Sequence, residues 1–204
     1  MTMAAYAGTT HRGMRRDAIR NRRRLLEAAG EILRTNPGAA AMPLVAERAG
    51  LSVATAYRYF PSFDELLGAY LHCVIVQLRN YSHDCPKTGL ALFEDVAAEW
   101  ARLLRTYGTA MVQARSRQGF LARLHGGDEL ITSVRDAWER PIRSVMRHLG
   151  VPDEHFDHAL FLYNLMFDPR EILDLIGAGL PEQVALRNLV QAYYGALRGW
   201  ARLS

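Results

Sequence analysis

The sequence predicts an all-α protein of about nine helices, with a short-helix unit at the N-terminus followed by a larger helical body. Apolar residues recur at steps of three and four along most of the 204 residues, the spacing of a buried helix face. No stretch alternates with period two over a useful length, so no strand is expected. Glycine and proline cluster between the stripes, at Asn36-Pro37-Gly38, Gly50, Pro61, Cys85-Pro86, Gly126-Gly127 and Gly150, where they end one helix before the next begins.

Residues 1–14 are small and polar without periodicity and are read as a disordered basic arm. A first helix is expected over 14–35, its apolar face being Ile19, Leu26, Ala29 and Leu33. Two short helices follow, over 43–49 and 52–60, with Gly50 as the turn between them and Ser52 as the second one's N-cap. Pro61 stops that pair, and Ser62-Phe63-Asp64-Glu65 reads as a capping box opening a helix to about Asn80. In the body, one stripe is Phe93, Val96, Trp100, Leu103, Tyr107 and Met111, and another is Ile131, Val134, Trp138, Ile142, Val145 and Leu149. Phe156, Leu160, Tyr163 and Phe167 form a third, and Leu186, Leu189, Tyr193, Leu197 and Trp200 a fourth. These breaks divide the chain into an arm (1–14), a helix-turn-helix domain (15–61) and a body (62–204).

Half the residues are hydrophobic and 23% are charged, the balance of a folded soluble protein. No apolar run approaches the roughly 20 residues of a membrane-spanning helix, and the first ten residues lack the pattern of a secretory signal. Two cysteines, Cys73 and Cys85, make no disulfide framework and fit reduced thiols in a cytoplasmic protein. Charge is unevenly placed. Residues 1–60 hold ten arginines against Asp17, Glu27, Glu31 and Glu47, a net of +6, whereas the rest is −2. A basic head on a near-neutral body implies a polyanionic partner at one end, although charge alone does not separate DNA from RNA or an anionic surface.

The two short helices sharpen that reading, because a tight helical pair presents its second helix to the DNA major groove. Ser52, Val53, Ala54 and Thr55 are small residues at the start of that helix, where bulk would block approach to base edges. Tyr57 and Tyr59 offer hydroxyls to phosphate oxygens, and Arg58 can reach a phosphate or a guanine edge.

Residues 51–67, LSVATAYRYFPSFDELL, resemble the recognition helix and following helix start of the tetracycline-repressor (TetR) family. Arg24-Leu-Leu-Glu-Ala-Ala29 and Val45-Ala-Glu-Arg-Ala-Gly50 match the same signature, so the resemblance covers about residues 20–70. It implies a repressor-like homodimer that binds a near-palindromic double-stranded DNA operator and is released by a small molecule held in the body, with no cofactor. By position, Val53, Ala54 and Arg58 would face bases, while Thr55, Tyr57 and Tyr59 would hold phosphates. Two departures remove expected phosphate contacts: Ala41 stands where the family usually has a threonine, and Phe63 where it usually has a lysine. Arg12, Arg15 and Arg16 of the arm can compensate by tracking the backbone or entering the minor groove.

In the body, Trp100, Tyr107, Met111, Phe120, Trp138 and Phe161 are the candidate wall of a pocket for a mostly apolar ligand, although any one of them taken alone is more often plain core. Met146 and Met166 belong to the same class. Pro141 lies inside a helical stripe and is expected to kink it beside Trp138. His155 and His158 sit three apart among acidic residues, where a metal site would need a third ligand from elsewhere. The last helix carries small residues at Asn188, Ala192, Gly195 and Gly199, which would let another helix approach closely. Together with Phe156, Leu160 and Tyr163 of the preceding apolar helix, they are the candidate dimer interface. Two other classes compete with the regulator: an enzyme, for which no activated-serine elbow, phosphate loop or metal-protease motif is found, and an adaptor whose helix-turn-helix is only structural.

Overall fold

The computed structural model describes the backbone of residues 5–113 and 118–201 and the side-chain surroundings of residues 16–113 and 118–200. Among them are ten α-helices and two single 3-10 turns, and no strand. The chain divides into two compact units, one ending at Tyr70 and one beginning at Leu71.

In the first unit, α1 spans Ala5–Thr35, α2 Met42–Arg48 and α3 Val53–Tyr59, and α4 opens at Phe63. Helix α1 therefore begins at Ala5 and not near Met14, so residues 5–14 of the expected disordered arm are helical backbone. Nothing from Ala5 to Gly13 forbids helix: there is no proline, and Gly8 and Gly13 weaken a helix by only about 1 kcal/mol each without ending it. At the other end the expected stop holds, with Asn36 N–H bonded to the Ile32 carbonyl at 2.8 Å and a 3-10 turn over Pro37–Ala39. The buried face of α1 is Leu25, Ala28, Ala29, Ile32 and Leu33, whereas Ile19 is 64% exposed. Leu25-Leu26 and Ile32-Leu33 admit two neighbouring stripes, and packing chose the one through Leu25. Opposite it lie Met42, Val45 and Ala46 of α2, Ala56 and Phe60 around α3, and Leu66, Leu67 and Tyr70 of α4, all buried.

The second unit takes the rest of α4 (Phe63–Asp84), then α5 (Gly89–Gln113), α6 (Phe120–His125), α7 (Glu129–Leu149), α8 (Phe156–Met166), α9 (Pro169–Gly177) and α10 (Glu182–Ala201). The short α6 and α9 carry no sustained stripe, so periodicity does not announce them. Phe93 of α5 sits at the middle of the core, with ring centroids 5.5 Å from Trp138, 5.8 Å from Phe167 and 5.1 Å from Tyr193. Buried Tyr193 donates its hydroxyl hydrogen to the Ala159 carbonyl at 2.9 Å, which ties α10 to α8. Pro141 is buried, and α7 runs through it as one helix.

Phe156, Leu160 and Tyr163 are corrected by this packing. All three are buried inside their own chain at 3%, 0% and 3% exposure, so they are not available to a second copy. Their stripe is the core face of α8. The small residues of α10, Asn188, Ala192, Gly195 and Gly199, are exposed instead, with nothing within 4 Å of a Cβ placed at either glycine.

Candidate nucleic-acid interface and ligand cavity

Helix α3 is set by its two ends. Gly50 takes the left-handed conformation at φ 62°, and its N–H bonds to the Glu47 carbonyl while Leu51 N–H bonds to Ala46, both at 2.9 Å. Ser52 Oγ then accepts from Thr55 N at 3.2 Å and caps the new helix. The same hydroxyl donates to Thr55 Oγ1 at 2.8 Å. Ala56 is fully buried, which turns α3 on its axis so that Val53, Ala54, Tyr57 and Arg58 share the exposed side. These four lie at steps of one, three and one, the pattern of a single helical face. Thr55 and Tyr59 are half-buried at its edges. Tyr57, expected over a phosphate, thus stands on the same face as the residues expected over bases, 45% exposed.

Helix α1 braces this face through residues that sequence reasoning passed over. Asn21 Nδ2 donates to Tyr59 Oη at 3.4 Å, and that bond, more than any other cause, lowers the phenol's pKa from its usual value. Arg22 stacks on Phe60, 4.3 Å from the ring centroid. Arg24 lies over the turn, its Nη2 2.8 Å from where a Cβ on Gly50 would be. The signal was the dense Asn21-Arg22-Arg23-Arg24 run, read for its charge alone. Part of that charge is met within the chain, by Arg20 with Asp17 at 2.8 Å, Arg23 with Glu27 at 3.3 Å and Arg48 with Glu31 at 3.0 Å. Arg16 is exposed on α1, and the side chains of Arg12 and Arg15 lie outside the described residues. The N-cap of α2 is Ala41, with no side-chain bond, and Phe63 is half-buried at the start of α4.

Residues 25–70 match the family model described as bacterial regulatory proteins, tetR family. That segment, the helix-turn-helix and the helices flanking it, is similar to the family's DNA-binding part. A solved tetR-family transcriptional regulator from Streptomyces coelicolor shares the fold at TM-score 0.59, with 19% identity over 90% of this chain and 88% of the other. A TetR-family candidate from Mesorhizobium loti aligns at TM-score 0.48 with 16% identity, covering 89% of this chain and 96% of the other. No curated protein matches the chain. The match supports a helix-turn-helix DNA-binding regulator, and α3 occupies the second-helix position of the matched segment.

The second unit contains a partly open cavity of about 360 Å³, within the range of small-molecule sites. Four expected residues line it: Trp100, Met111, Phe120 and Trp138. Tyr107 packs against the core without lining the cavity, and Phe161 is 40% exposed. The residues that complete the wall include Leu71 and Ile75 of α4, Ile131 and Val134 of α7, and Tyr163 and Phe167 of α8 and its end. Tyr163 and Phe167 were visible as an apolar stripe, but a stripe does not say what faces it. His155 and His158 stack at 6.5 Å near Trp200, and no group of three or more metal-ligating side chains occurs among the described residues. No helix among them is long and apolar enough to cross a membrane.

Proposed function

We propose that this protein is a cytoplasmic, ligand-released repressor that binds a near-palindromic DNA operator as a homodimer. In this reading residues 15–61 form the DNA-binding domain, and residues 62–204 hold the effector and dimerise. The observation that carries it is the open face of α3, where Val53, Ala54, Tyr57 and Arg58 stand exposed over the buried Ala56. Such a face leaves base edges reachable and places one guanidinium among small side chains. Phe161 and Leu165 of α8, 40% and 59% exposed, and the small-residue side of α10 supply apolar surface for a second copy. The partly open cavity with Trp100, Trp138 and Phe120 in its wall suits a small, mostly apolar effector.

Release needs the effector to prefer the conformer with the lower operator affinity, since equal affinity for both shifts nothing. A tenfold loss of operator binding corresponds to about 1.4 kcal/mol of such preference. Genomic footprinting with purified protein tests the DNA reading. Two related half-sites about 34–36 Å apart are expected, and uniform, non-periodic protection of all sequences would refute it. Sedimentation of Leu165→Asp tests the dimer: the variant should run as monomer with its helical content kept.

A further inference from the structure

The exposed face of α3 divides along its length, and the division points to the chemistry of the bases it meets. This inference rests on the reading of α3 as the helix that enters the major groove. Val53 and Ala54 open the helix and are both exposed, Val53 at 39%. Buried Ala56 fixes the rotation that keeps them outward. The hydroxyl just before them is committed to the cap: Ser52 Oγ donates to Thr55 Oγ1 at 2.8 Å and accepts from Thr55 N at 3.2 Å. Charge gathers at the other end, where the Arg58 guanidinium lies 5.4 Å from the Tyr59 ring centroid. The leading part of the face is therefore hydrocarbon, and the trailing part is phenolic and cationic.

The net +6 over residues 1–60 attracts DNA without regard to sequence, so discrimination falls to side chains that reach base edges. In the major groove every base offers hydrogen-bonding groups, and thymine alone adds a methyl group, at C5. The side chains of Val53 and Ala54 can neither donate nor accept. A polar base edge pressed against them gives up hydrogen-bonded water and receives nothing in return. A thymine methyl instead buries apolar surface on both partners. We propose that Val53 and Ala54 are specificity-determining residues that read thymine C5-methyl groups in each operator half-site.

The test uses the purified full-length protein to select a duplex from a random DNA library. Each thymine of the selected half-site is then replaced in turn by deoxyuridine, which removes one methyl group and keeps the base pairing. At a thymine that faces Val53 or Ala54 the exchange should weaken binding about two- to fivefold, the span of one buried methyl. Val53→Ala and Ala54→Gly should each erase that penalty at the thymine its side chain touches. Affinity for an unselected duplex, which phosphate contacts set, should stay at the parent's level in both variants, so loss through unfolding is recognisable. A selected duplex in which every thymine tolerates deoxyuridine would overturn the inference and leave DNA recognition by α3 standing. A penalty that survives both substitutions would give the methyl contact to another residue and overturn the assignment. Selection that yields no consensus would refute the DNA reading itself, and this inference with it.

Discussion

Arg140 offers a direct measure of how the end of α4 is held. From α7 its Nη1 donates to the carbonyls of Ser82 at 2.6 Å and His83 at 3.2 Å, and its Nη2 to those of Cys85 at 2.7 Å and Lys87 at 3.0 Å. The last carbonyls of a helix have no partner in its own ladder, and the helix's negative end favours a cation. One guanidinium meets both needs and also fixes the link from α4 to α5. The bonds to Ser82 and Cys85 are part-buried, while those to His83 and Lys87 are exposed. Water can replace the exposed pair. A hydrogen bond to a charged group contributes about 1.5–3 kcal/mol, so Arg140→Met should cost about 2–4 kcal/mol once partial hydration of the two inner carbonyls is allowed. For a chain of this size each kcal/mol moves Tm by about 2–4 °C, which gives a fall on the order of 5–15 °C. Far-UV circular dichroism against temperature and urea measures it. Arg140→Lys keeps the charge but cannot span four carbonyls, and should recover less than half of the loss. Arg147→Met, exposed on the same helix, should stay within about 0.5 kcal/mol of the parent. If Arg140→Met also falls within that margin, or Arg140→Lys is fully stable, the clamp is not what holds this link.

Gly50→Ala should lower thermal stability by about 1–2 kcal/mol, the cost of a left-handed conformation for an L-residue, and displace Arg24 from the turn, whereas Gly38→Ala, with open space around it and no positive φ, should be near neutral; equal effects would remove the argument from the turn. Asp95 is held below its usual pKa of 3.8, chiefly by Lys87 and further by Tyr81, against the opposing effect of burial. Its stabilising contribution is therefore complete above 3.8 and is lost as pH falls below that value through the depressed pKa. The deficit of Asp95→Asn in urea midpoint at neutral pH should close only in that acid range, and a deficit that closed on the alkaline side would refute the assignment. Tyr57→Phe should weaken binding to all DNA sequences by similar factors, while Arg58→Ala should also change preference between sites, by about 1–3 kcal/mol if the guanidinium reads a base; quantitative band shifts on a set of operators decide between them.

The helix-turn-helix was legible because its signals are local. Gly50 has to be glycine for the turn, Ser52 caps the next three residues, and Pro61 ends the pair, so each boundary follows from a few neighbouring residues. The start of α1 was not legible, because Ala5–Gly13 carries no apolar stripe. The brace of α3 by Asn21, Arg22 and Arg24 was also hidden. Each pairs with a residue more than twenty positions away, a separation on which helical periodicity is silent.

The body shows the same limit more sharply. Periodicity reveals that one side of a helix is apolar, but not whether its own chain or another copy covers that side. On α8, the strong stripe through Phe156, Leu160, Tyr163 and Phe167 belongs to the chain's own core, and the weaker pair Phe161 and Leu165 is what solvent meets. On α10 the division is reversed: large Tyr193 and Leu197 are buried inside, while the small Ala192, Gly195 and Gly199 face out. Size accounts for both assignments. A single chain gains most by burying its largest apolar side chains, at about 25 cal/mol per Å², so the strongest stripe on any helix goes to the intrachain core first. An interface between copies must be built from what is left, from scattered apolar residues and small ones whose merit is close approach. The residues to weigh for dimerisation in a helical body are therefore those just beside the best stripe, as Leu165 lies beside Tyr163.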